Sequence, residues 1–280
     1  MSTYRELLRS SEDVPDRERL LRGLMNWPLS RFICMLDEEA EPEAAAYFLQ
    51  GISRLRAHEP LQYILGEAPF FGRMFQVDPR VLIPRFDTEI LVEEALREID
   101  RRISEEDEDL RVLDLCTGSG CIAVTIRKER PMLRIEASDL SSDALELARL
   151  NEQSVTSETG GIRWIQSDLF EKIPDAYDLI VTNPPYISDP VIDGLEPEVR
   201  DHEPRLALSG GADGLDILKR IAEEAGGHLR DRGVLLMEIG DEEGPETQRI
   251  LKENGFKDLR IIRDLSGRDR VVKARKEEND

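Results

Sequence analysis

Four consecutive residues, Asn183-Pro184-Pro185-Tyr186, carry the most specific chemistry in this chain. Two prolines freeze the backbone, and Pro185 restricts the residue before it to extended geometry. Neither proline has an N–H, so nearby carbonyls keep acceptor capacity, and Asn183 adds a side-chain oxygen on the same edge. Two acceptors and the flat ring of Tyr186 suit a planar amine or amide. The acceptors take its two N–H bonds and the ring packs on its plane. A rigid loop after a strand is the bland alternative, and it weakens once the upstream residues are considered.

Upstream, Val112-Leu113-Asp114-Leu115 runs into Cys116-Thr117-Gly118-Ser119-Gly120 and then directly into a helical pattern. Small residues there let the backbone turn sharply and approach a ligand at the carboxyl edge of a sheet. No Gly-Lys-Ser/Thr follows, so this is not a P-loop, and the spacing misses the dinucleotide pattern Gly-x-Gly-x-x-Gly. Taken alone, a tight turn without a ligand explains these glycines too. The next strand ends at Asp139, whose carboxylate can accept from both hydroxyls of a ribose. Capping the helix that starts near Ser142 is its other reading, and the two roles are compatible. Together the loop and Asp139 specify a nucleoside-containing cofactor better than either does alone.

Other reactive side chains form no pattern. Cys116 and Cys121 have no His or Cys partner at zinc spacing, so no metal is expected, and His58, His202 and His228 are scattered. Three cysteines in all argue against a disulfide framework.

These residues need elements to hold them. Residues 1–66 have helical spacing throughout, as in Leu20, Leu21, Leu24 and Trp27, and again from Ala44 to Leu55. Pro15, Pro28, Pro42 and Pro60 sit at segment starts. Short apolar runs around Gly72 predict a β-hairpin linker over 67–86. From Asp87 to the end, strands alternate with helices. Asp87 or Thr88 can cap a helix running to about Arg102, and an acidic loop follows from Ser104 to Asp109. Seven strand-like runs are 111–116, 134–139, 162–166, 177–182, 233–239, 259–264 and 270–274; helical runs are 121–130, 142–153, 213–230 and 244–254. Such alternation implies an α/β fold with a doubly wound, mostly parallel sheet, its last two strands forming a hairpin. The domains expected are therefore 1–66, the linker 67–86, and 87–280.

Charge narrows the partners. With 38 Lys and Arg against 59 Asp and Glu, the net charge is −21. Affinity for DNA or RNA rests on basic phosphate contacts, so bulk nucleic acid is a poor candidate. No apolar run reaches the roughly 18–20 residues that span a bilayer. The first residues, Met1-Ser2-Thr3-Tyr4-Arg5-Glu6, do not read as a secretory signal. A soluble cytoplasmic monomer is expected.

Asn-Pro-Pro-Tyr on the fourth strand of such a sheet resembles the signature of methyltransferases that use S-adenosylmethionine to methylate planar nitrogen. Four further segments sharpen the likeness: 59–66 (Glu-Pro-Leu-Gln-Tyr-Ile-Leu-Gly), 81–89 (Val-Leu-Ile-Pro-Arg-Phe-Asp-Thr-Glu), 203–208 (Glu-Pro-Arg-Leu-Ala-Leu) and 211–216 (Gly-Ala-Asp-Gly-Leu-Asp). In this order, over nearly the whole chain, they resemble the bacterial peptide chain release factor glutamine methyltransferase family. Cys116, Phe86, Leu169 and Glu243 depart from residues common there, but the Asn-Pro-Pro-Tyr unit is intact.

The resemblance implies a seven-stranded S-adenosylmethionine-dependent methyltransferase fold with a small helical front domain that grips the release factor. It implies that Cys116, Thr117, Gly118, Ser119 and Gly120 wrap the methionine part of S-adenosylmethionine. Asp139 would take the ribose, Asp168 and Leu169 would flank the adenine, and S-adenosylhomocysteine would be the product. Asn183, which would also touch the cofactor, and Pro184, Pro185 and Tyr186 would hold the glutamine of a Gly-Gly-Gln loop, with Asn183, Pro184 and Tyr186 catalytic. Three rivals remain. A ribosomal-protein glutamine methyltransferase shares much of the pattern, but Asp87-Thr88-Glu89 favours the release factor. An adenine-N6 nucleic-acid methyltransferase shares the fourth-strand motif, and the charge and helical front domain count against it. A noncatalytic cofactor-binding scaffold would be expected to have lost Asn183 or Tyr186.

Overall fold

A computed structural model describes residues 2–105, 109–157 and 159–276. The chain forms two compact units, Met1–Glu67 with Glu196–His202, and Ala68–Leu195 with Glu203–Asp280. The smaller unit holds α1 (Tyr4–Arg9), α2 (Arg17–Leu24), α3 (Leu29–Met35), α4 (Pro42–Arg56) and α5 (Leu61–Leu65). Pro42 stands in the first turn of α4, and Pro28 and Pro60 immediately precede α3 and α5, where no helical N–H is lost. Leu20, Leu21, Trp27, Phe48 and Ile52 are buried together, with Tyr4 edge-on to Trp27 at 5.0 Å. Leu24 and Leu49 share their spacing but are exposed.

Next come β1 (Glu67–Phe70) and β2 (Arg73–Gln76), joined by Phe71 and Gly72 at φ 49° and 72°. Left-handed geometry at both turn residues matches the twist of a two-residue hairpin. The strain at Phe71 is held by its N–H, which donates to Glu89 Oε1 at 2.8 Å. Phe70 and Phe75 are fully buried in the larger unit's core. The expected linker is therefore part of that unit, anchored by two aromatic side chains.

The rest alternates: α6 (Thr88–Ser104), β3 (Arg111–Leu115), α7 (Cys121–Glu129), β4 (Arg134–Asp139), α8 (Ser142–Thr156), β5 (Ile162–Gln166) and β6 (Tyr177–Thr182). After two one-turn helices, α9 (Asp189–Ile192) and α10 (Pro197–Arg200), the latter within the smaller unit, follow α11 (Asp216–Ala225), β7 (Leu229–Glu238), α12 (Gly244–Glu253), β8 (Phe256–Arg263) and β9 (Asp269–Lys276). The seven-stranded sheet runs β5-β4-β3-β6-β7-β9-β8, parallel except where β9 meets β7 and β8. Apolar cores cover both faces. The boundaries around β7 differ most from expectation. The helix read over 213–230 stops at Ala225, and β7 starts at Leu229 through an irregularity that puts Arg232 at φ 60°. Of the acidic loop expected at 104–109, residues 106–108 lie outside the described ones, and Ser104 still belongs to α6. Among the described residues, no helix is long and apolar enough to cross a membrane.

One buried ion cluster supports this scaffold. Glu98, 1% exposed, accepts from Arg101 Nη2 at 2.5 Å, Arg102 Nε at 3.1 Å and Lys273 Nζ at 2.8 Å, tying α6 to β9. Burial pushes its pKa up, but hydrogen bonds from Arg101 and Lys273 outweigh that and bring it from 4.5 to about 2. A depressed pKa stabilises the fold above the unfolded value and is lost as pH falls through the folded one, here between 4.5 and about 2. The shift corresponds to about 3 kcal/mol. Glu98→Gln should lower the unfolding free energy by about that much at pH 7, with a gap that narrows below pH 4.5. Urea melts across pH check this; a gap independent of pH would show that the charge is not the source.

Candidate active site

Strand register brings the expected residues to one edge. β3 and β6 are neighbours, with Leu115 opposite Thr182, so Cys116 and Asn183 leave the sheet side by side. Leu115 also pairs with Ser138, and Asp139 with Gln166, which puts Asp139 and the Ser167-Asp168 segment on the same edge. Strand order reverses at β3 and β6, the crevice where open α/β sheets bind ligands. A cleft of about 800 Å³ opens here.

Cys116, Thr117, Gly118, Ser119, Asp139, Asp168 and Leu169 line this cleft. The strand expected to reach Cys116 ends one residue earlier, because Cys116 already turns left-handed at φ 60°. Gly120 faces away from the cleft. Its φ is 77°, and a Cβ there would stand 2.9 Å from Ala148 Cβ, so only glycine lets the loop lie against α8. Burial raises the Cys116 thiol far above its ordinary pKa, helped by the charge of Asp139, and pushes Cys121 up to about 12. Neither is a nucleophile at neutral pH.

Asp139 does more than the sequence indicates. Its Oδ2 accepts from Gly118 N at 2.8 Å and its Oδ1 from Ser141 N at 2.9 Å. The helix-capping role falls instead to Ser141, whose hydroxyl accepts from Ala144 N at 3.1 Å. Burial raises the Asp139 pKa against those backbone donors. Each carboxylate oxygen still has a lone pair left for a ribose hydroxyl. Gly118 has open space where a Cβ would stand. Cleft size, open loop and spare carboxylate capacity together fit a nucleoside cofactor.

On the other side, Asn183 and Pro185 line the cleft, while Pro184 is buried behind them. Asn183 Nδ2 donates to Thr88 Oγ1 at 3.2 Å, which leaves Oδ1 as the free acceptor. Half-buried Tyr186 is not among the lining side chains; its hydroxyl donates to Glu238 Oε1 at 3.3 Å. Gly214, at φ 84°, lies so close that a Cβ would come within 2.5 Å of the Tyr186 carbonyl oxygen. Glycine there lets the 211–216 segment press against the Asn-Pro-Pro-Tyr unit.

Neither Asp87 nor Thr88 caps α6 through its side chain: Asp87 pairs with Arg270 at 3.1 Å and Thr88 serves Asn183. Four further residues support the site without having been assigned a role from the sequence. Buried Asp114, pushed up to about 7 by burial, accepts from Thr117 Oγ1 at 2.5 Å and Ala123 N at 3.1 Å, bracing the loop. Asn151 Nδ2 donates to Ser119 O at 2.9 Å. Arg220 pairs with Asp168 at 3.0 Å within the cleft lining. Glu203, 6% exposed, accepts from Arg85 Nη2 at 2.5 Å and Ile83 N at 3.3 Å, joining two of the sequence segments singled out above. No cluster of three or more His, Cys, Asp or Glu with metal-holding geometry occurs among the described residues.

Comparison with known proteins adds independent findings. Residues 3–66 match the PrmC N-terminal domain family and residues 89–193 the Methyltransferase small domain family. The release factor glutamine methyltransferase of Cereibacter sphaeroides is 41% identical over 94% of this chain and 91% of its own. That of Streptococcus pneumoniae is 39% identical over 95% and 93%. Among solved structures, a ribosomal protein L11 methylase from Lactobacillus delbrueckii subsp. bulgaricus superposes with a TM-score of 0.51 at 20% identity, covering 75% of this chain and 90% of that one. That likeness concerns the fold alone.

Proposed function

The chain belongs to the release factor glutamine methyltransferase family, and we propose that its target is the glutamine of the Gly-Gly-Gln loop of peptide chain release factors. It is an S-adenosylmethionine-dependent glutamine methyltransferase. The observation that carries the residue-level reading is Asn183, anchored through Nδ2 on Thr88 and leaving Oδ1 free beside the cofactor loop.

Bound S-adenosylmethionine supplies a methyl group on a sulfonium, already activated for displacement. An amide nitrogen is a poor nucleophile because its lone pair is delocalised into the carbonyl, so the protein must orient and polarise it. Asn183 Oδ1 and the Pro184 carbonyl accept the two N–H bonds, which raises electron density on nitrogen and fixes its direction. Tyr186, its hydroxyl tethered to Glu238 and its side chain outside the cleft lining, holds the Asn-Pro-Pro-Tyr unit in place. Cys116 to Ser119 would hold the methionine part of the cofactor, with Gly120 packing that loop on α8, while Asp139 would hold the ribose and Asp168 and Leu169 the adenine. Arg220 orients the Asp168 carboxylate. The S–C bond breaks as the N–C bond forms, and the thioether keeps the electron pair. The proton displaced from nitrogen leaves along one of the two N–H bonds to solvent, so no side-chain base is required. Positioning of two reactants can contribute about 7–11 kcal/mol.

The helical unit recognises the release factor in this reading, in a cytoplasmic monomer without nucleic-acid or membrane contact. On α3, Leu29 and Ile33 lie four residues apart and are 56% and 58% exposed. Changing both to Glu should raise KM for intact release factor several-fold and leave cofactor affinity unchanged. Unchanged KM would remove this face from recognition.

Labelled S-adenosylmethionine, offered with purified release factors, ribosomal proteins and DNA, tests the assignment. Label should map to the Gly-Gly-Gln glutamine. Label on ribosomal protein or adenine overturns it.

A further inference from the structure

Behind Asn183 lies a carboxyl group with no assigned role. Glu238 ends β7 and is 1% exposed. Its Oε1 takes the Tyr186 hydroxyl at 3.3 Å, and its Oε2 is buried without a hydrogen-bond partner among the described residues. The Thr88 hydroxyl and the Arg270 guanidinium both favour the charged form of this carboxyl, and Arg270 is itself held by Asp87 at 3.1 Å and Asp264 at 3.3 Å. Thr88 Oγ1 accepts from Asn183 Nδ2, so its own proton is directed elsewhere, and the unpartnered Glu238 Oε2 is a buried acceptor with capacity to spare.

We propose that Glu238 is a positioning residue for methyl transfer, deciding through Thr88 which end of the Asn183 amide faces the cleft. The proposal rests on the substrate-clamp reading of Asn183. An ionised carboxylate can only accept, so Thr88 donates to it and keeps its oxygen for Asn183 Nδ2. Asn183 Oδ1 then points at the substrate. A protonated carboxyl can instead donate to Thr88, whose hydroxyl is then free to donate to Asn183 Oδ1. The amide turns over and presents N–H groups to the substrate's own N–H groups, and the clamp is lost.

Burial pushes the Glu238 pKa up to about 7, against Thr88, Arg270 and Tyr186, which lower it; Asp87 adds to the rise. Both forms are therefore accessible near neutrality. Turnover should rise with pH through about 7 as Glu238 ionises.

The test compares Glu238→Gln, Thr88→Val and Thr88→Ser in the full-length enzyme with release factor as substrate. Gln can donate to Thr88 at every pH. Glu238→Gln and Thr88→Val should each lower kcat at pH 8 at least tenfold, with cofactor affinity and release-factor KM within about twofold. Glu238→Gln should also lose the rise near pH 7, and Thr88→Ser should keep kcat within threefold. If Glu238→Gln and Thr88→Val keep wild-type kcat and pH profile while Asn183→Ala is inactive, the clamp stands and this positioning role falls. If Asn183→Ala is itself active, the clamp reading falls first. Loss of cofactor affinity in parallel with kcat marks Glu238 as merely structural and also overturns the proposal.

Discussion

Asn183→Ala is expected to lower turnover by about 100- to 1000-fold while the protein remains folded. Alanine removes the Oδ1 acceptor, and one substrate N–H then enters the cleft unpaired, costing about 1–3 kcal/mol before any transition-state effect. The orientation of the reacting nitrogen is lost as well. Loss of a single comparable polar group in other active sites reaches the range given. Thr88 Oγ1 loses its donor too, but a half-buried hydroxyl-to-amide contact is a modest part of the fold's stability. Single-turnover kinetics on release factor, with cofactor affinity measured alongside, separate chemistry from binding. Turnover within a few-fold of wild type would refute the clamp.

Much of this site was legible because its parts are local. A strand, a small-residue turn and a helix occupy one stretch from Arg111 to Glu129, and Asn-Pro-Pro-Tyr follows its strand directly. Parallel crossovers then place every strand's carboxyl end on one edge, so fold class and site location come together. The supporting residues are not local. Thr88 and Asn183 are separated by 95 positions, and Tyr186 and Glu238 by 52. Thr88 sits where a helix cap is expected, which hid its role behind a familiar one. Glu238 carried a usable signal: an acid closing the apolar run Val234-Leu235-Leu236-Met237, at the edge where the site forms. A charge at that place must be paired or put to use. The start of β7 was obscured by Arg230-Asp231-Arg232-Gly233, a polar stretch that reads as the end of a helix but carries an irregular strand.

Asp139→Ala is expected to weaken S-adenosylmethionine binding about 100-fold or more, the largest effect on cofactor affinity anticipated for one side chain here. Two contributions add. Hydrogen bonds to a charged group contribute about 1.5–3 kcal/mol each, and two ribose hydroxyls lose theirs. The carboxylate also holds Gly118 N at 2.8 Å and Ser141 N at 2.9 Å, so its removal loosens the glycine loop against β4. The loop still keeps its other braces, Asp114 on Thr117 and Asn151 on Ser119, which is why folding should survive. Asp139→Asn distinguishes the contributions. Its single oxygen can keep one backbone contact, but the amide nitrogen turns a donor toward the other, so affinity should fall between wild type and alanine. Calorimetry with S-adenosylmethionine, with thermal melting as a folding control, decides. Wild-type affinity in the alanine variant would remove Asp139 from the ribose site and leave it only the loop contacts seen here.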